Sequence, residues 1–216
     1  MKIDFVSDIA CPWCAVGLNA LEIALKNIGD DIQVDLYMQP YELNPDMASD
    51  GVDAGEYLTK KYGMSAAQLQ ASRASLRERG AEVGFLFGDR NRVWNTFAAH
   101  RLLHWAGEQD ARKGAGSKQR ALKHALLRAY HTQGRNPGAK DVLLELAGEV
   151  GLDVDAAREV LESDAYTDDV RRAEKYWQQS GINAVPSVII DGKHLIQGGQ
   201  PPAVFEAAIR KIAAAA

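Results

Sequence analysis

Two cysteines are the only thiols in this 216-residue chain, and they stand three apart as Cys11-Pro12-Trp13-Cys14. At that spacing the pair can form and break a disulfide with each other. A thiolate that attacks an outside disulfide makes a mixed disulfide, and a second thiol nearby resolves it. The motif stands between an alternating apolar run, Ile3 to Val6, and a segment of helical periodicity. Pro12 suits the first helical turn, where its missing N–H costs nothing. A helix start also carries unpaired N–H groups and roughly half a positive charge, which favours a thiolate. Cys11 sits at that end and reads as an exposed nucleophile. Cys14 shares a stripe with Leu18, Leu21, Leu25 and Ile28, so its sulfur is expected to be more buried and less ionised, as a resolving thiol.

The elements that must position this pair follow from periodicity. A strand over Lys2–Val6, a helix stopped by Gly29 and a second strand through Ile32, Val34, Leu36 and Met38 to Pro40 make a unit of the length that a parallel crossover needs. Helical patterns then fill the middle. Asp53 with Glu56, and Ser65 with Gln68, have capping-box spacing. Trp94, Phe97, Ala98, Leu102 and Trp105 form one apolar face, and Leu122, Ala125, Leu126, Ala129 and Tyr130 another. Val142, Leu143, Leu146 and Val150 make a third, and a helix near 166–180 a fourth. Gly114-Ala115-Gly116 and Gly134 to Gly138 read as linkers. At the end, Ser187–Ile190 and Lys193–Ile196 flank Asp191-Gly192, a two-residue hairpin signal. A closing helix over Pro202–Ala213 is expected to turn Val204, Phe205, Ala208, Ile209 and Ile212 inward. The fold class is therefore α/β, with residues 1–40 and 181–216 forming one discontinuous domain, the 166–180 helix bridging its halves, and residues 41–180 forming a helical insertion.

Other residues were weighed against plainer roles. A proline opening a strand lacks a ladder N–H, and a cis bond at Val185-Pro186 would leave the Val185 backbone free for substrate. Trp13 reads as an apolar lip. Asp8 is a proton relay to Cys14 or an acid at a strand end facing water. Asn95 lines a cleft or merely flanks an apolar stripe. His100 and His104, one turn apart, read first as solvated helix-edge residues, with a catalytic role for His100 as the sharper alternative. They do not complete a zinc site with the cysteines. His124, His131 and His194 show no partner pattern.

These parts together resemble the DsbA branch of the thioredoxin fold. More narrowly, Ser7 to Cys14, Asn95-Thr96 with Ala99-His100-Arg101-Leu102, and Gly181 to Pro201 are similar to FrnE-like oxidoreductases, whereas His131 to Ala139 departs from their pattern. The resemblance implies a thioredoxin-like fold with a large all-helical insertion and a thiol–disulfide oxidoreductase. In it Cys11 and Cys14 are catalytic, and Pro186 is cis beside them. Branches of the same fold, the 2-hydroxychromene-2-carboxylate isomerases and kappa-class glutathione transferases, place a serine where this chain has Cys11. A glutathione-dependent isomerase or transferase is the alternative reading. Either way no bound cofactor or metal is expected, while glutathione is a candidate co-substrate and a disulfide-bearing protein or small thiol the candidate partner.

Composition bounds the rest. A net charge of −4 argues against nucleic-acid or anionic-membrane binding, both of which want a basic surface. No apolar run approaches a membrane span, and Met1 to Val6 is too short and too acidic for a signal. A cytoplasmic protein is expected, in a compartment that favours reduction or isomerisation over net oxidation.

Overall fold

The computed structural model describes residues 1–113 and 118–215; the Gly114-Ala115-Gly116 linker lies outside the described residues. The chain runs β1 (Lys2–Ser7), α1 (Pro12–Ile28) and β2 (Asp35–Pro40), then β3 (Val52–Asp53), α2 (Ala54–Tyr62), α3 (Ala66–Glu82) and β4 (Arg92–Val93). It continues through α4 (Phe97–Lys113), α5 (Lys118–His131), α6 (Lys140–Glu149), α7 (Val154–Glu162) and α8 (Thr167–Gln179). β5 (Ser187–Ile190), β6 (His194–Gln197) and α9 (Pro202–Ala213) complete it.

A four-stranded sheet of order β2-β1-β5-β6 forms the centre. β1 and β2 are parallel with Phe5 opposite Met38, and β5 runs antiparallel to β1 with Phe5 opposite Val188. Side chains alternate between sheet faces. Ile3 and Phe5 therefore pack with Leu18, Leu21, Phe205 and Ile209 beneath α1 and α9, while Val6 joins Trp177, Ile182 and Ile189 beside α8. A separate core binds α4 to α7 through Leu102, Leu122, Leu126 and Leu146, and the β1–α1 connection enters it at Ile9 and Ala10. The active-site loop is thus gripped by the helical layer as well as by the sheet.

Local signals acted as expected. Gly29 ends α1 at φ 60°, Asp53 accepts from the Glu56 N–H, and Ser65 with Gln68 closes a full capping box. Three expectations are corrected. Asp191 and Gly192 take positive φ and the Lys193 N–H bonds to the Ile190 carbonyl at 3.0 Å, yet the ladder pairs Ile190 with His194. Lys193 is therefore an extra residue and β6 starts one position late. Val204 is exposed on α9, because Phe205 and Ile209 alone set the buried line of that helix. Finally, α7 and the two-residue β3–β4 ribbon escape the periodicity reading, being shorter than any window that reveals a period.

Candidate redox site

Cys11 is the N-cap residue of α1, in extended conformation, and its side chain does not cap the helix. Instead its Sγ donates to the Val185 carbonyl at 3.4 Å, across the cis Val185-Pro186 bond from the start of β5. Gly17 makes that approach possible. A Cβ there would lie 2.9 Å from the Pro186 Cγ, so only glycine lets α1 sit this close to the cis-proline loop. Cys14 lies one turn in, its N–H bonded to the Cys11 carbonyl at 3.1 Å. Both thiols are free. Cys14 is 0% exposed, and Cys11, read from the sequence as exposed, is itself only 4% exposed. Burial pushes the Cys14 thiol well above its ordinary value; the neighbouring Cys11 adds to the rise and Lys123 opposes it.

Beneath the pair lies a polar cluster. Asp8 faces no water, contrary to the solvent-facing alternative. It is fully buried because the β1–α1 connection turns into the helical core. Its Oδ1 accepts from the Ala10 N–H at 3.0 Å and the Thr96 hydroxyl at 2.8 Å, and its Oδ2 accepts from the Leu43 N–H at 2.7 Å. His100 Nε2 stands 3.3 Å from Oδ1. Burial by itself would raise the Asp8 pKa, but the His100 bond and charge and the two backbone N–H groups outweigh it and hold the carboxyl below its usual range. His100 is likewise not at a solvated helix edge. It is 2% exposed, because Ala99, Leu102 and Leu103 around it all face protein. Asn95, the cleft candidate, is structural: its Nδ2 donates to the Met47 carbonyl at 3.1 Å and its Oδ1 accepts from the Phe97 N–H at 2.8 Å at the start of α4.

Several residues escape the sequence reading. Lys123 on α5 is 1% exposed, and burial lowers its pKa against the opposing charges of Cys14, Asp8 and Cys11. Its signal was present, since it lies three and four positions before the core residues Leu126 and Leu127. His131, read as partnerless, is buried with Nε2 2.8 Å from the Ile9 carbonyl, to which it must donate. Burial and then the Arg90 charge lower its pKa to about 3, so its imidazole is neutral. Nearby, Glu42 and Glu174 share Arg171. Burial and the Glu174 charge raise Glu42 to about 7, against the pull of Arg171. Each carboxylate keeps one unpartnered buried oxygen.

A cavity of about 580 Å³ opens over Cys11, bounded by Pro12, Trp13 and Asn183–Val185 on one side and by α2, α3 and the 87–90 loop on the other. Trp13 is 36% exposed and lines it, as an apolar lip would. Asp8, His100 and Asn95 do not line it. Among the described residues, no group of three or more His, Cys, Asp or Glu is placed to hold a metal ion, and no helix is long and apolar enough to cross a membrane.

A redox-type cysteine pair at a helix start, a cis proline across from it and a helical layer between β2 and β5 are one arrangement. The model of the DSBA-like thioredoxin domain matches residues 2–210. The chain belongs to that family. Within the family's reach, YwbO of Bacillus subtilis is 34% identical over 211 residues, covering 97% of this chain and 96% of its own. The crystal structure of a probable DsbA oxidoreductase from Streptomyces coelicolor is 35% identical with a TM-score of 0.89, covering 98% of this chain and 89% of that one. The cytosolic disulfide reductase DsbM from Pseudomonas aeruginosa, in its structure with glutathione, shares the fold at 18% identity and a TM-score of 0.66, covering 98% of each chain. The DsbA-like thioredoxin fold and the oxidoreductase character of the family are thereby established for this chain.

Proposed function

We propose that this DsbA-like protein exchanges disulfides through Cys11 and Cys14. The Cys11 thiolate attacks one sulfur of a bound disulfide. The S–S bond breaks, one half leaves as a thiolate, and the other half stays bonded to Cys11. Cys14 then attacks the Cys11 sulfur, its proton passing to the departing second half. The substrate gains two electrons as two thiols, and Cys11–Cys14 becomes a disulfide. Two equivalents of a small thiol of the glutathione class return the pair to the reduced form.

The observation that carries this reading is the unequal setting of the two sulfurs. Cys11 opens toward a cavity and the Val185 carbonyl. Cys14 is sealed one turn below, and burial keeps it protonated until a mixed disulfide forms above it. Pro186 and Val185 fix the floor of the site, and Trp13 supplies apolar contact. Asp8 and His100 act as positioning residues: they tie the loop before Cys11 to the segment after β2 and to α4.

Cys11→Ala is expected to drop disulfide reduction to background, and Cys14→Ala to accumulate mixed disulfides on Cys11 that mass spectrometry detects. Wild-type turnover in Cys11→Ala would overturn the assignment. Turnover that depends on glutathione and survives loss of both thiols would favour the isomerase or transferase alternative.

A further inference from the structure

The α2–α3 hairpin is an unusual piece of this fold. Across α3 only Gly80 is buried, and across α2 only Ala54. Gly80 anchors the far end: a Cβ there would lie 2.5 Å from the Phe85 carbonyl. At the near end the Lys61 ammonium and the Tyr57 hydroxyl bond Asn44 Oδ1 at 2.7 and 2.6 Å, fastening α2 to the segment after β2. Between these fixed ends α3 touches the core beneath α1 through Leu76. Leu69, Ser72, Arg73, Leu76 and Arg77 all line the cavity. Their spacing of three and four marks one continuous helix face. From α2 and the turn after it, Tyr57, Leu58 and Met64 line the same space. None of these three, nor Leu69, joins any of the three buried clusters among the described residues. One mixed face of α3, two leucines beside two arginines, therefore lines a chamber.

The chamber also has a sign. Arg73, Arg77 and Arg90 line it against Asp89 alone, while the whole chain carries −4. Arg77 is paired with Asp89 at 2.6 Å, and Arg90 donates to the Ala10 carbonyl at 2.9 Å. Arg73 has no ion pair or side-chain hydrogen bond among the described residues and is exposed at the rim. His131, neutral, adds no positive charge to the chamber. The volume lies in the range of small-molecule pockets, and Cys11, at 4% exposed, is reached from this space.

We infer that the chamber between Cys11 and the α2–α3 hairpin binds a low-molecular-weight disulfide bearing an apolar ring and a carboxylate, and that this, not an extended protein segment, is the substrate class. The ring lies on the Leu69–Leu76 face and the carboxylate meets Arg73. This rests on the redox reading above, whose two-step exchange it uses unchanged.

The test is single-turnover oxidation of the reduced protein, followed in moderate salt. The probes are 5,5′-dithiobis(2-nitrobenzoate), with ring and carboxylate, 2,2′-dithiodipyridine, with ring only, and hydroxyethyl disulfide, with neither. Oxidised glutathione and insulin complete the set. Ser72→Phe, which narrows the chamber beside Leu69 and Leu76, is expected to slow both ring-bearing disulfides about tenfold or more and hydroxyethyl disulfide far less. Arg73→Glu is expected to slow the nitrobenzoate by about tenfold and to leave the uncharged 2,2′-dithiodipyridine unchanged. Both positions lie in the chamber wall, so an unchanged urea midpoint, not a rate, reports an intact fold. Ring-bearing rates untouched by Ser72→Phe, or insulin reduction falling in parallel with them, would overturn the inference, the second outcome assigning the chamber to a protein segment. Oxidised glutathione responding to Ser72→Phe as strongly as the ring-bearing probes would overturn the ring assignment in favour of a peptide thiol. Failure of the redox reading looks different: hydroxyethyl disulfide would then react equally with wild type and Cys11→Ala.

Discussion

The two halves of the helical layer treat the two cysteines differently. From α4 to α7 the helices are packed on one another, with Leu102, Leu122, Leu126 and Tyr130 fully buried, and this half sets Lys123 near Cys14 and His100 against Asp8. The α2–α3 hairpin buries almost nothing of itself and covers the chamber over Cys11. Both carry leucines at helical spacing. The difference is what those leucines meet: in one half other side chains, in the other an open volume that Leu69 and Leu76 line, with Leu76 alone also touching the core. In the proposed exchange the packed side holds Cys14 protonated, and the roomy side is where a disulfide reaches Cys11.

Core truncations should separate the halves most widely. Leu126→Ala is expected to cost about 2–5 kcal/mol in urea denaturation, as buried leucines do. Leu69→Ala, on the chamber wall, should cost under about 1 kcal/mol. Equal losses would mean that the hairpin is part of the core.

Asp8→Ala removes the acceptor for the Thr96 hydroxyl and for the Leu43 and Ala10 N–H groups at once. A loss of about 3 kcal/mol is expected at neutral pH. The sign with pH follows from its lowered pKa. The ionised form is favoured in the folded state, so its stabilisation is present above the unfolded value of 3.8 and is lost as pH falls through the lower folded value. Asp8→Asn should lack that acid-side slope in urea midpoints measured from pH 5 to pH 2.

Glu42 tilts the other way. Its folded pKa of about 7 stands above the ordinary 4.5, so the folded state holds its proton more tightly. That stabilisation is complete below 4.5 and fades as pH rises through 7. Relative to wild type, Glu42→Gln should gain about 1–3 kcal/mol between pH 5 and pH 8. His131, neutral in the fold with a pKa of about 3, contributes an opposite slope between there and 6.5 that both proteins share. A constant difference between the two proteins across that range would show that Glu42 does not hold a proton.

Much of the fold was legible because its signals are local. Pro12 at a helix start, Gly29 at its end, the Ser65–Gln68 box and the alternation in β1 each act within a few residues. The misreadings came where burial is decided by distant partners. His100 and Asp8 looked like surface residues because polar side chains usually are. They are buried because they satisfy each other and the backbone across 92 positions of sequence. Lys123 was hidden in the same way, on a helix buried nearly all round.

By itself the sequence determined the setting of the cysteine pair: the C-x-x-C spacing, the helix start at Pro12 and the apolar stripe that carries Cys14 inward all lie within one stretch of chain. The Val185-Pro186 neighbour was readable too, though its cis form is a property of the folded chain. Only the tertiary structure decided that Cys11 is covered and not exposed, and that α3 turns its apolar face to a chamber. Periodicity fixes which side chains share a face, but what stands opposite that face depends on contacts between residues far apart in sequence.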